Sequence, residues 1–261
     1  MPGGGACERA AGTLLPMASA PLLPLVFGHG SETSGDELNS RESFVRVMQL
    51  PVDGVELDVR RSADDELFAM HDPALPDGRL IGMTPSDEVP GRLVTLADAL
   101  DLCAGRLVNL EVKSYPTDPE FDPDERVTGL VLDLLAERGG RDRVILSSFG
   151  MGCVDLVRAR APWIDTAVLL FHPGDPEVLL DEVVAHGHRI VHPFARHLDA
   201  DFMRAAVARG LTVNVWTVRD DPASLARLVD LGVHGIITGA PDVLLGLLGR
   251  GGDGRPGGQP A

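Results

Sequence analysis

Cysteine is scarce in this 261-residue chain: Cys7, Cys103 and Cys153 are the only three, far apart and without metal-type spacing. That excludes a disulfide-stapled scaffold and a thiolate zinc site, and it suits free thiols in a reducing compartment. Positive charge is short as well. Lys and Arg number 23 against 39 Asp and Glu, a formal net charge of −16. A surface of that sign argues against a nucleic-acid backbone or an anionic membrane as general partner. It does not exclude a small anionic ligand, because one metal ion and one lysine can reverse the sign locally.

No apolar window reaches the length of a membrane span. A signal peptide is not expected either. Arg9 is the only basic residue near the N-terminus, Glu8 offsets it, and Pro16, Pro21 and Pro24 interrupt the apolar run. Residues 1–23 are expected to be flexible, 24–248 to form one domain, and the Gly/Pro-rich tail 249–261 to be disordered. The sum is an expectation of a cytoplasmic protein. A glycine-rich phosphate loop is missing too: Gly28-His29-Gly30-Ser31-Glu32 fits none of the nucleotide-binding fingerprints.

What the chain does have is concentrated between Gly54 and Pro73. Val55-Glu56-Leu57-Asp58-Val59 alternates as a strand does, so Glu56 and Asp58 leave from one face and the aliphatic residues from the other. Two carboxylates converging at a strand end make a hard-oxygen site, suited to Mg²⁺ or Ca²⁺ rather than Zn²⁺. A second strand, Leu67 to Met70, delivers His71-Asp72-Pro73. Taken alone, the stretch also fits an edge strand with a solvated acidic face.

Along the rest of the chain, strand-like and helix-like segments alternate. Strands are predicted over Leu22–His29, Leu107–Lys113, Val144–Phe149, Thr166–Phe171, Arg189–His192, Leu211–Val218 and Gly235–Thr238. Helices are predicted over Arg41–Gln49, Thr95–Cys103, Asp124–Arg138, Gly152–Ala161, Pro176–His186, Asp199–Arg209, Pro222–Leu231 and Pro241–Leu248. Thr95 is the expected N-cap of the second helix, with Asp98 as capping-box acid. Roughly eight strand–helix units are the arithmetic of an α/β fold of the (β/α)8 TIM-barrel type, with an extra strand pair near the C-terminal mouth. The strands end in polar residues, which puts the site at that mouth. His172 and His192, at two such ends, are further candidates for touching substrate.

Leu110-Glu111-Val112-Lys113 repeats the central geometry, so Glu111 and Lys113 share a face. An isolated Glu-x-Lys strand equally fits an intra-barrel ion pair. Three carboxylates and two histidines gathered at four strand ends are costly to assemble without a metal to neutralise them.

Taken together, these residues resemble the glycerophosphodiester phosphodiesterases, relatives of bacterial phosphatidylinositol phospholipase C. The resemblance rests on Gly54-Val55-Glu56-Leu57-Asp58-Val59, His71-Asp72-Pro73, Leu110-Glu111-Val112-Lys113, Ser147-Ser148-Phe149, Trp216-Thr217-Val218 and the run Gly232 to Pro241. It spans about residues 26 to 245. It implies a metal-dependent phosphodiesterase hydrolysing a glycerophosphodiester-like small molecule to an alcohol and glycerol phosphate. One divalent ion, Mg²⁺ or Ca²⁺, would be held by Glu56, Asp58 and Glu111. His29 and His71 would be the acid–base pair, Lys113 would bind a phosphoryl oxygen, and Trp216 would line the mouth. A core position for Trp216 is the plainer alternative.

The chain departs from the family pattern where Gly30 replaces an Arg, Ser31 a Gly, Leu38 a Glu, and His234 and Gly239 two Asp. The lost Arg removes a bidentate phosphate contact. Either Gly30 opens room for a bulkier substrate, or Arg41, Arg60 or Arg61 reaches in. Two alternatives therefore accompany the main expectation. One is a divergent barrel enzyme acting on another phosphodiester, including by intramolecular transfer to a cyclic phosphate; the other is a ligand-binding barrel without turnover.

Overall fold

The structure is a computed structural model that describes residues 23–29, 40–140, 142–171, 174–216 and 221–251. Among the described residues nine strands form one sheet: β1 Leu25–His29, β2 Gly54–Arg61, β3 Leu67–Ala69, β4 Leu107–Val112, β5 Arg143–Ser148, β6 Asp165–Leu170, β7 Ile190–Pro193, β8 Thr212–Trp216 and β9 Gly235–Thr238. Eight α-helices among the described residues follow the strands of the ring: α1 Arg41–Met48, α2 Leu96–Leu102, α3 Arg126–Glu137, α4 Met151–Arg160, α5 Pro176–Ala185, α6 Ala200–Ala208, α7 Pro222–Asp230 and α8 Pro241–Leu247. All eight predicted helices are present, displaced by at most a residue or two at their ends. The predicted strand residues Leu22, Thr217 and Val218 lie outside the described residues.

Local chemistry sets the helix starts. Ser40, Thr95, Asp175, Asp199 and Asp221 each accept a backbone N–H of the first turn. Pro176, Pro222 and Pro241 occupy first-turn positions where no amide hydrogen is required. Gly210 (φ 66°) and Gly232 (φ 75°) end α6 and α7 in the left-handed region that a side chain disfavours.

Strand pairing closes a ring in the order β1-β9-β8-β7-β6-β5-β4-β2, with β1 pairing β2. Every ring pairing is parallel. One strand lies outside it: β3 runs antiparallel to the upper end of β2, Val59 to Arg61. The predicted extra pair is thus a hairpin in which β2 is also a barrel stave.

Followed once round the ring, the registers return to β1 eight residues displaced, the stagger expected of this barrel. Inward side chains consequently stack in layers of four from alternate strands. From the bottom upward, one layer holds Gly54, Ile145, Ile190 and Gly235; the next Phe27, Asn109, Ala167 and Asn214. Above them come Glu56, Ser147, His192 and Ile237, then His29, Glu111, Leu169 and Trp216. The lower interior is an apolar plug built on Phe27, Ile145, Ala167, Ile190 and Ile237. A Cβ at Gly54 would stand 2.6 Å from the Phe27 ring, and one at Gly235 2.6 Å from Asn214 Oδ1, so both glycines make room for the layer above.

Val55, Leu57 and Val59 face outward into the larger core between strands and helices. Residues 70–95 make an excursion after β3 with its own small core of Phe68, Met70, Leu75, Ile81 and Val89. At the opposite end Arg250 binds Asp53 at 2.7 and 2.9 Å, tying the chain after α8 to the start of β2. None of the described helices is long and apolar enough to cross a membrane.

Candidate active site

The inward face of β2 carries Glu56 and Asp58, both buried. Asp58 is in register with Glu111 of β4, and Glu56 with His29 of β1. His29 Nε2 lies 3.4 Å from Glu56 Oε2. Lys113, one residue past β4, donates to Asp58 Oδ1 at 2.7 Å and to Glu111 Oε1 at 2.6 Å. Asp58 Oδ2 is buried with no hydrogen-bond partner.

Charge is out of balance here. Among the described residues Asp58 and Glu111 share one ammonium, with the buried Glu56 close by, a surplus that burial makes costly. Burial drives the Asp58 carboxyl up, but Lys113, with His71 and His29 beyond it, outweighs that and holds Asp58 below its ordinary value. At Glu111 burial prevails over Lys113, and the charge of Asp58 adds to it, so this carboxyl is raised. Burial pulls Lys113 down; its two carboxylate partners more than compensate and hold the ammonium well above the ordinary lysine value.

His29, Glu56 and Asp58 form a group whose potential ligand atoms all lie within 4.8 Å of one another, the one such group among the described residues. It differs from the expected Glu56, Asp58 and Glu111 set in admitting His29, while Glu111 lies outside that group and shares Lys113 with Asp58. A donor set rich in carboxylate oxygens, with one oxygen orphaned and a net negative charge, fits a hard divalent cation.

His71 stands just beyond β3. Its imidazole is half-exposed and its Nδ1 lies 2.7 Å from Asp72 Oδ1. Its backbone is fixed on both sides, by Met70 N–H donating to Asp58 O at 3.0 Å and by Arg60 Nε donating to His71 O at 2.8 Å. Trp216 is half-buried at the end of β8 and donates its Nε1–H to His192 O at 3.0 Å. It stands among aromatic rings: Phe194 at 4.5 Å between centroids, Phe171 at 5.9 Å and Phe149 at 6.0 Å, with Tyr115 5.5 Å beyond Phe149.

The fold therefore brings His29, Glu56, Asp58, Glu111 and Lys113 together, with His71 at the rim and Trp216 on an aromatic wall. Other expectations fall differently. His192 is fully buried in the barrel interior, level with Glu56, where Asn214 Nδ2 lies 3.2 Å from its Nε2, and not at an open strand end. Arg60 does not stand in for the missing family Arg; it is buried against Asp118 and Glu120. Arg61 lies 3.6 Å from Asp65. His234 sits at the bottom of the barrel, where its Nδ1 accepts from Val213 N–H. Gly30, Ser31, Leu38 and His172 lie outside the described residues.

Three features went unread in the sequence. The aromatic wall is assembled from five separate segments. Asn109, Ser147, His192 and Asn214 form a buried polar floor, several of whose polar atoms have no hydrogen-bond partner. Lys113 is the only lysine in the chain, every other basic side chain of that kind being Arg. That last signal was visible: a compact ammonium fits between two carboxylates where a planar guanidinium does not.

The chain matches the glycerophosphoryl diester phosphodiesterase family over residues 78–243. The chain belongs to that family. The matched span begins after His71, but a glycerophosphodiester phosphodiesterase of Caldanaerobacter subterraneus subsp. tengcongensis is 28% identical over 254 residues, covering 87% of this chain and 99% of the relative. Among solved structures, an Oleispira antarctica phosphodiesterase in complex with the product sn-glycerol-3-phosphate superposes with a TM-score of 0.77 at 20% identity, covering 87% of this chain and 97% of that one. A glycerophosphodiester phosphodiesterase from Thermotoga maritima gives 0.69 at 22% identity over 87% and 98%. Family membership makes this chain a phosphoric diester hydrolase.

Proposed function

We propose that the chain hydrolyses a glycerophosphodiester-like small molecule to an alcohol and glycerol phosphate, with one divalent cation, Mg²⁺ or Ca²⁺, held by Glu56, Asp58 and Glu111. The observation that carries this is the buried excess of carboxylate over ammonium, with Asp58 Oδ2 unbonded. Bound there, the ion supplies Lewis-acid stabilisation of charge on the phosphoryl oxygens. Lys113, bound between Asp58 and Glu111, adds a second positive charge toward the same oxygens.

The protein's own part is proton transfer and positioning. A water oxygen bonds to phosphorus while the bond from phosphorus to the alcohol oxygen breaks. One histidine takes a proton from the water and the other gives one to the departing alkoxide. His29, beside Glu56, suits the base; His71, half-exposed at the rim with Nδ1 engaged by Asp72, offers Nε2 to an alcohol on its way out. Trp216 and its neighbouring rings form an apolar wall for the alcohol. The substrate is a small molecule and not a nucleic acid, in keeping with the net charge of −16. A cytoplasmic location suits Cys103 and Cys153, free thiols that burial pushes up to about 12 and renders inert.

One observation favours a variant. His29 lies within ligating range of Glu56 and Asp58; as a ligand it would leave His71 as the proton-transfer group. Protein, cation and a panel of glycerophosphodiesters, lysolipids and nucleotide diesters, followed by ³¹P NMR, test the proposal. A free phosphomonoester supports hydrolysis, and an accumulating cyclic phosphate supports intramolecular transfer instead. No product from any diester, with cation bound, refutes the enzymatic assignment for these substrates. Loss of rate by about 10²–10⁴ in both His29→Ala and His71→Ala is expected of a pair. Weakened cation binding in His29→Ala marks it as a ligand.

A further inference from the structure

We propose that Arg60 is a positioning residue for His71, acting through a buried clamp that spans three segments of the mouth. This rests on the proton-transfer role given to His71 above.

Arg60 lies two residues past Asp58 on the same inward face of β2, with 4% of its side chain exposed. Its guanidinium is almost fully committed. Nε donates to His71 O at 2.8 Å, NH2 to Asp118 Oδ2 at 2.8 Å, and NH1 to Asp118 Oδ1 at 3.0 Å and Glu120 Oε2 at 3.2 Å. The partners are themselves tied down. Asp118 Oδ1 also accepts from Glu120 N–H at 2.9 Å, and Glu120 Oε1 accepts from Gly82 N–H at 2.6 Å. One side chain thereby joins β2, the loop after β4, the excursion that follows β3, and the backbone of His71.

Such a cluster is a poor phosphate site, since two carboxylates already fill the fork of the guanidinium. It is a good device for holding an exposed group still. The His71 imidazole has few neighbours of its own, with 54% of the side chain in solvent. Its placement depends on backbone restraint, supplied on one side by Asp58 O and on the other by Arg60. A geometry loosened by about 1 Å at a proton-transfer group costs up to about 10²-fold in rate.

Arg60→Lys keeps a charge but cannot span Asp118, Glu120 and His71 O at once. It is measured alone and in a His71→Ala background, with kcat, KM and cation affinity on each protein. The expected result is a fall in kcat of about 10–100-fold for Arg60→Lys, with KM and cation affinity within about twofold of the parent. In the His71→Ala background the same substitution should change kcat by less than about twofold, because the group it positions is gone. A merely structural role would give the same factor in both backgrounds, and that additivity overturns the clamp while leaving His71 catalytic. An unchanged rate for Arg60→Lys overturns it too. A wild-type rate for His71→Ala removes the assignment of His71 itself, and the clamp's catalytic meaning with it. Should Arg60→Lys fail to fold, Glu120→Gln, which disturbs one arm of the clamp, is put through the same cycle with the same criteria at smaller amplitude.

Discussion

Two buried ionic clusters sit two residues apart on the inner face of β2, and they are built on opposite principles. Around Arg60 each carboxylate oxygen of Asp118 and Glu120 has a hydrogen-bond donor, and four donor–acceptor pairs use the guanidinium. Around Asp58 one ammonium serves two carboxylates, a third lies close by, and Asp58 Oδ2 has no donor. The first cluster is saturated as folded; the second, where Asp58 Oδ2 has no donor, is the one proposed above to take a cation. The lesson is that burial alone does not mark a functional charge. Saturation of its hydrogen bonds separates a charge that holds structure from one that awaits a ligand.

Breaking each cluster should therefore give different phenotypes. Arg60→Met strands the buried carboxylate of Asp118 and the part-buried one of Glu120, and chemical denaturation should show a loss of about 3–5 kcal/mol. A loss under about 1 kcal/mol would mean that the complete cluster is not structural. Glu56→Gln should do the reverse. Activity should fall by about 10²–10³, while stability without added cation stays level or rises, since one surplus negative charge is gone. A destabilised, still active variant would invert the comparison.

The smallest effect concerns a buried polar group with no charge at all. His192 is wholly buried in the barrel interior, level with Glu56, and burial pulls it down to about 3. Its unfolded value is about 6.5, so between these limits the unfolded chain binds the extra proton. Stability is then full above about pH 6.5 and falls as pH drops, by about 1.4 kcal/mol per unit contributed by this one group. Urea midpoints from pH 7 to 4.5 should show that slope, and His192→Leu should flatten it. Equal slopes in both proteins would place the acid sensitivity elsewhere.

The barrel was legible in the sequence because its evidence is local. Capping residues, C-terminal glycines and alternating aliphatic residues recur through most of the eight units, so that errors of a residue at one boundary leave the count intact. The carboxylates were legible for the same reason: Glu56 and Asp58 share a face by strand period alone, and Glu111 with Lys113 repeats it. Arg60 shows where that logic stops. Its parity puts it on the face of Asp58, but whether it meets phosphate or protein depends on Asp118 and Glu120, about sixty residues away in a loop with no periodicity. His192 failed similarly. A strand-end position suggested solvent, whereas the ring's eight-residue stagger sets that short strand low, level with Glu56 and Ser147.

The most direct test is calorimetric titration of Mg²⁺ and Ca²⁺ into chelator-stripped protein, wild type beside Asp58→Asn and Arg60→Lys. One ion per chain should bind to wild type and to Arg60→Lys with similar affinity, and about tenfold or more weaker to Asp58→Asn. Equal binding to wild type and Asp58→Asn, or none to wild type at millimolar cation, would contradict the assignment of the incomplete cluster as the cation site.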